Sequence, residues 1–292
     1  MDKISWALLL LLSFIWGSSF LLISLSLPVF GPSEIVLIRV LAAAITLTPW
    51  AWRHWHGHPA KLILSMMALG ITNNAIPFAL ISWGQTGITS GFASMLNASV
   101  PLFGIIYAHL LTGDEKMRPN RVAGVVTGFA GVALLMSASL GSTNISFLHA
   151  GAIILSANCY ALSTIYAKRF KLPSSLIAFC QVTGASMVTL PFALPALWTS
   201  LEMDQDLLIP LLSCLLLGVF GTAIAYLLYF TILRRAGATN IMLATLIVPI
   251  MAIYLGVTIL GEEITNIQLA GFGVVSLGLL LVDGRILPKN WR

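Results

Sequence analysis

The chain has 292 residues, 58% of them hydrophobic and 9% charged, and carries a net charge of +5. An ordinary soluble domain is roughly 45–50% apolar and 25% charged, so water cannot be the main solvent of this surface. Nor does the positive charge mark a nucleic-acid binder, because the basic residues lie in short loops and form no patch interleaved with aromatics.

About 20 consecutive apolar residues span the hydrocarbon core of a bilayer. Ten such runs can be drawn: 5–27, 33–52, 61–84, 87–112, 119–138, 148–170, 173–198, 207–233, 238–260 and 266–286. The first follows Lys3 and mimics a signal peptide, but it has the length of a full span and nine more follow. It is read as a retained helix. Loops are short, and no soluble domain interrupts the series. The expected fold class is an all-α polytopic membrane protein. Cys159, Cys180 and Cys214 each lie inside an apolar run, with neither a CxxC motif nor a disulfide framework.

Lys and Arg set the orientation. With the N-terminus inside, fourteen of the fifteen basic residues fall in or beside inner segments: Lys3, Arg53, Lys61, Lys116, Arg118, Arg121, Lys168, Arg169, Lys171, Arg234, Arg235, Arg285, Lys289 and Arg292. The outer side carries Glu34, Glu202, Asp204, Asp206, Glu262 and Glu263. Both termini are therefore expected in the cytoplasm.

The stretch from Pro101 to Gly113-Asp114-Glu115 returns 148 positions later, from Pro249 to Gly261-Glu262-Glu263. The same offset relates Gly70 to Gly218 and Ala75-Ile76 to Ala223-Ile224, and it becomes 147 for Ala123-Gly124 and Ala270-Gly271. A self-match at half-length marks a duplicated fold. Five helices per half is an odd number, so the second half enters the membrane upside down. The expectation is two inverted repeats, over 1–140 and 141–292, the arrangement of many secondary transporters.

Trp16-Gly17-Ser18-Ser19-Phe20, Pro32, Arg39, Pro101…Gly113-Asp114-Glu115 and Gly124…Gly131 resemble the EamA repeat of the drug/metabolite transporter superfamily. The resemblance covers the whole chain, twice. In the second copy Asn158-Cys159-Tyr160 stands near the place of Trp-Gly, and Cys180 near the place of the arginine. It implies a ten-helix inner-membrane protein that is not an enzyme and exports amino acids or other small metabolites, with helices 5 and 10 as packing elements. Its partners would be the bilayer and a small-molecule substrate, without cofactor or nucleic acid. A multidrug exporter of the same superfamily is the rival; a membrane-embedded lipid-acting enzyme and a channel stand further off.

Polar groups inside a span must face protein partners or a watery cavity. Trp16, Asn73, Asn74, Asn97, Asn158 and Thr222 fall roughly halfway along their spans, about 15 Å from either end. A ring of amides at that depth is where an inverted-repeat transporter holds its substrate, and Asn supplies both donor and acceptor. Trp16, Trp83, Tyr160 and Tyr226 can form apolar or cation-binding walls. The bland alternative is that such residues glue helices together. Pro101 and Pro249 occupy equivalent places, where a proline removes a backbone hydrogen bond, so both helices are expected to kink as matched hinges.

Arg39 is the one basic residue within a span, about 10 Å from the outer end of its helix. It can attract an anionic group such as a substrate carboxylate, or snorkel outward to pair with Glu34 or a carbonyl; its depth favours the second. No acid lies mid-span, which disfavours cation–proton antiport through a central carboxylate; His109 is a remote alternative proton carrier. Glu115 and Glu263, on opposite faces, are expected to pair with basic side chains or cap the next helix. His54, His56 and His58 alternate between Trp52 and Trp55 in an inner loop and read as part of an interfacial belt, not a metal site. Gly124 and Gly128 form a GxxxG, and Gly271, Gly273 and Gly278 line the last helix. Small residues let helices approach closely, and the contact is open at this point between one chain and a homodimer.

Overall fold

The computed structural model describes residues 2–112, 117–138, 146–170, 172–202, 206–237 and 243–284. Gly113-Asp114-Glu115, Lys116, Lys171, Asp204, Arg285, Lys289 and Arg292 lie outside the described residues. Ten helical segments follow one another: α1 Lys3–Ser26, α2 Pro32–Trp52, α3 Ala60–Gly84, α4 Ser90–Leu111, α5 Pro119–Ser137, α6 Phe147–Ala167, α7 Ser174–Glu202, α8 Leu208–Ala236, α9 Ala244–Leu260 and α10 Asn266–Asp283. Nine are long and apolar enough to cross a bilayer, and the described part of α9 is shorter, at 17 residues.

Local chemistry sets the helix ends. Asp2 accepts from the backbone N–H of Ser5 and opens α1, and the hydroxyl of Thr89 accepts from Phe92 N and opens α4. Thr265 and Gln268 form a reciprocal capping box for α10. At the far ends, Gly261 (φ 66°) and Gly284 (φ 72°) take the left-handed conformation that stops α9 and α10. Large apolar residues such as Ile45, Leu148 and Phe192 stand outward on the bundle surface, as lipid contact requires.

The packing obeys the internal duplication. The α1–α9 contact has its mirror in α6–α4, α1–α8 in α6–α3, and α2–α8 in α7–α3, while α2 meets α7 and α5 meets α10 across the repeat. The α5–α10 contact is made of glycines. A Cβ on Gly124 would lie 2.6 Å from the carbonyl oxygen of Gly278, and one on Gly131 would lie 2.9 Å from that of Gly271. The GxxxG face is therefore used within one chain. Gly273, with nothing within 4 Å of its would-be Cβ, faces away from this contact.

The matched prolines behave differently. α4 divides at Ala98–Ser99 into Ser90–Asn97 and Val100–Leu111, with Pro101 in the first turn of the second piece, where its missing N–H is not needed. α9 runs from Ala244 to Leu260 with Pro249 inside it. A break in α4 thus faces a continuous helix in α9.

Candidate functional site

Helix α3 is α-helical from Ala60 to Gly70 and from Ile76 to Gly84, with a π-helical turn over Ile71–Ala75 between them. Helix α8 has the same construction, with a π-helical turn over Val219–Ile224. The two turns begin 148 positions apart, so the duplication carries a backbone irregularity as well as side chains. A π turn inserts one residue, and such bulges gather at functional sites. Here they carry Asn73, Asn74 and Thr222, all placed at mid-depth by the sequence.

Close packing against the neighbouring helix surrounds each turn. A Cβ on Gly70 would overlap the Gln181 carbonyl of α7, and one on Gly218 would lie 2.5 Å from the Arg39 carbonyl of α2. Gly70 and Gly218 are repeat equivalents, so Gln181 takes the place of Arg39 in the second half. The residue next to the Cys180 position named from the sequence is the true counterpart. The side chains follow the same symmetry: Asn73 Nδ2 donates to Gln181 Oε1 (2.8 Å), and Arg39 Nε donates to Thr222 Oγ1 (2.9 Å).

Arg39 does not pair with Glu34. Five residues further along α2 turns it about 140° around the axis, so the two side chains leave different faces. Glu34 is engaged at the helix start, where it accepts from the backbone N–H of Gly31 and from Ser200 Oγ (2.6 Å). Arg39 is buried, 6% exposed, with its guanidinium 3.5 Å above the centre of the Phe78 ring of α3. Thr222 lies on α8 and Phe78 on α3, so Arg39 links α2 to both helices. No carboxylate among the described residues pairs with it.

Around this centre the amides are partly engaged. Tyr226 donates to Asn74 Oδ1 (2.7 Å), while Asn74 Nδ2, in a side chain that is 0% exposed, has no partner among the described residues. Tyr160 packs at 6.4 Å from Phe78. On α6, Asn158 accepts from Tyr107 of α4 (2.8 Å) and donates to the Ile154 carbonyl (3.0 Å). The buried Oδ1 of Asn97, beside the break in α4, has no partner among the described residues. Trp16 packs on Tyr229 at 5.9 Å, and next to it Gly17 meets α9 beside Pro249, its would-be Cβ 2.9 Å from the Val248 carbonyl. Thus Asn73, Asn74, Tyr160, Thr222 and Tyr226 gather with Arg39 and Gln181, and Asn158 joins α6 to α4. Trp83 stands apart: it is 41% exposed and stacks on His149 at 4.3 Å.

The outer acids do not act as the sequence suggested. The capping residue is Glu262, not Glu263: its two carboxylate oxygens accept from the backbone N–H groups of Ser90 (2.7 Å) and Gly91 (2.9 Å). It thereby ties the end of α9 to the start of α4. His109 accepts from the Met117 N–H at 3.4 Å, outside the central group.

The profile of the EamA-like transporter family matches residues 4–137 and again residues 148–283. Among curated relatives, the chain is 26% identical over 278 residues to the "uncharacterized inner membrane transporter YedA" of Escherichia coli K12, covering 92% of this chain and 87% of that protein. It is 25% identical to the "probable terminal-alkyne amino-acid exporter" of Streptantibioticus cattleyicolor (99% and 96% covered). With the "probable amino-acid metabolite efflux pump" of Salmonella typhimurium LT2 it shares 24% identity (94% and 93% covered). A solved crystal structure superposes with a TM-score of 0.63 at 16% identity over 96% of both chains, which is a likeness of fold.

Proposed function

The chain belongs to the EamA-like transporter family, and on that premise we propose that it exports a small metabolite, an amino acid or related compound, across the inner membrane by alternating access. The observation that carries this reading is the central group of Arg39, Asn74, Tyr160, Thr222 and Tyr226, built on two matched π-helical turns. A transporter's cargo sits at such a midplane, between repeats that rock about it. The amino-acid class is supported by the names of the relatives in Streptantibioticus and Salmonella. The cytoplasmic placement of both termini is supported by the distribution of basic residues, fourteen of fifteen on one side. A guanidinium at the centre repels organic cations, which argues against the cationic-drug rival.

The test is release of metabolites by cells that overexpress the protein, followed by flux through purified protein in liposomes. Saturable flux of a released compound is expected. No compound released above the empty-vector level refutes export, flux that never saturates indicates a channel, and strict dependence on a pH gradient contradicts the inference from the missing mid-span acid that disfavours proton exchange.

A further inference from the structure

The unpaired charge of Arg39 constrains the cargo, and this inference rests on the transport reading above. A guanidinium has five N–H donors, and its charge is not lost at any pH the protein meets. Nε is engaged by Thr222, and the face of the group lies on Phe78. Its two terminal nitrogens meet no acceptor among the described residues, and the nearest acid of its own helix, Glu34, is occupied elsewhere. A charge in this position is expensive to keep, and mid-membrane cations ordinarily pair or mark a substrate path. The arrangement pre-orients one edge of the fork while leaving the two-nitrogen edge free, which is the edge that grips a carboxylate bidentately.

A second observation points the same way. Asn74 Nδ2 is a fully buried donor without a partner, held in orientation by the Tyr226 hydroxyl on its Oδ1. Arg39 and Asn74 thus both hold donors to spare, and no acidic side chain among the described residues pairs with either. The repeat equivalent of Arg39 is the neutral Gln181, occupied by Asn73, so a single positive charge is present. One charge balances a monoanion and leaves a dianionic phosphate ester uncompensated. The walls beside the guanidinium are the rings of Phe78 and Tyr160. We propose that Arg39 is the carboxylate anchor of the transport site and that the cargo is a monocarboxylate with an apolar body, an apolar amino acid included.

The test uses the full chain in proteoliposomes and two matched pairs of probes: L-leucine with L-leucinamide, and L-phenylalanine with L-phenylalaninamide. Each amide keeps the body and the amino group and loses the carboxylate. Wild-type protein should move at least one acid saturably and its amide at least tenfold less well. Arg39→Gln should lower transport of that acid by roughly thirtyfold or more, to the level of the amide. Arg39→Lys, which keeps the charge without the fork, should fall between. The acid-to-amide ratio is read on the wild type, so it stands even if a variant folds poorly. Equal transport of acid and amide, preference for the amide, or an acid preference that survives in a well-folded Arg39→Gln overturns the inference while leaving export intact. Failure of both pairs overturns it too, and metabolite release from cells then judges the export reading separately.

Discussion

Gly70→Ala tests whether the packing that frames the site is as tight as described. The new Cβ would overlap the Gln181 carbonyl oxygen and stand 2.6 Å from its carbonyl carbon and 2.7 Å from its Cα. Ordinary carbon–carbon contact is about 3.5–4.0 Å, so α3 and α7 must part by roughly 1 Å or more. Backbone atoms cannot swing aside as a side chain can. Overpacking of this kind costs about 1–3 kcal/mol. The same displacement takes the 2.8 Å hydrogen bond from Asn73 to Gln181 beyond bonding range. An orphaned buried amide adds about 1–3 kcal/mol, against which alanine's better helix propensity returns about 1. The expected net loss is therefore a few kcal/mol, read as a lower melting temperature in detergent and a lower yield of folded protein in the membrane. Gly151→Ala is the control, since a Cβ there meets nothing within 4 Å, and should behave as wild type. A Gly70→Ala protein with unchanged melting temperature and transport would refute the close approach and the framing role assigned to it.

Asn74→Ala should lower transport about tenfold or more, because it removes a buried donor at the centre and little apolar packing; Asn158→Ala should lower it by loosening the tie from α6 to Tyr107 of α4; normal kinetics in both would sink the midplane site. Glu262→Ala removes an acceptor shared by two backbone N–H groups at the start of α4, costing about 1–2 kcal/mol, with Glu262→Gln milder. Hydrogen exchange at residues 90–91 should quicken; unchanged protection there contradicts the tie. Asp2 is held down to a pKa of about 2 from 3.8, first by its hydrogen bonds to Ser5 and then by Arg235. Its folded value is depressed, so its contribution is fully present above about pH 5 and fades as pH falls through 3.8 toward 2. The melting difference between wild type and Asp2→Asn should be constant from pH 8 to 5 and shrink below pH 4; a difference that varies across neutral pH would contradict this.

Spans, duplication and the mid-depth amides were legible because hydropathy and repeat offset act on long stretches of chain. What was hidden is local geometry. Nothing in Gly70-Ile71-Thr72-Asn73-Asn74 distinguishes a π turn from an α turn, since both bury the same apolar face and differ by one backbone hydrogen-bond register. Arg39 was misdirected because depth alone was weighed; counting its angle from Glu34 around the helix would have turned it toward the centre. Gln181 was overlooked because the second copy is divergent here, and the arginine's place could be set from the sequence only to within a residue, at Cys180. The prolines show that equal sequence positions need not have equal surroundings. α4 divides there, with Ala98 and Ser99 interrupting the helix just before Pro101, and α9 does not.

The exchange of arginine for glutamine between the halves has a consequence for how a cargo lies in the site. A perfectly duplicated centre would present two guanidiniums across the pseudo-two-fold axis, repelling each other and holding an anion with no preferred heading. With Arg39 on α2 and Gln181 on α7, the electric field at the centre has a direction, from the α2–α8 side toward the α3–α7 side. On the reading proposed above, a molecule with a charged head and an apolar tail would lie along that direction, its head on Arg39 of α2 and its tail toward α3. Under the proposed alternating access, rocking of the repeats would present it to either face of the bilayer without turning it over.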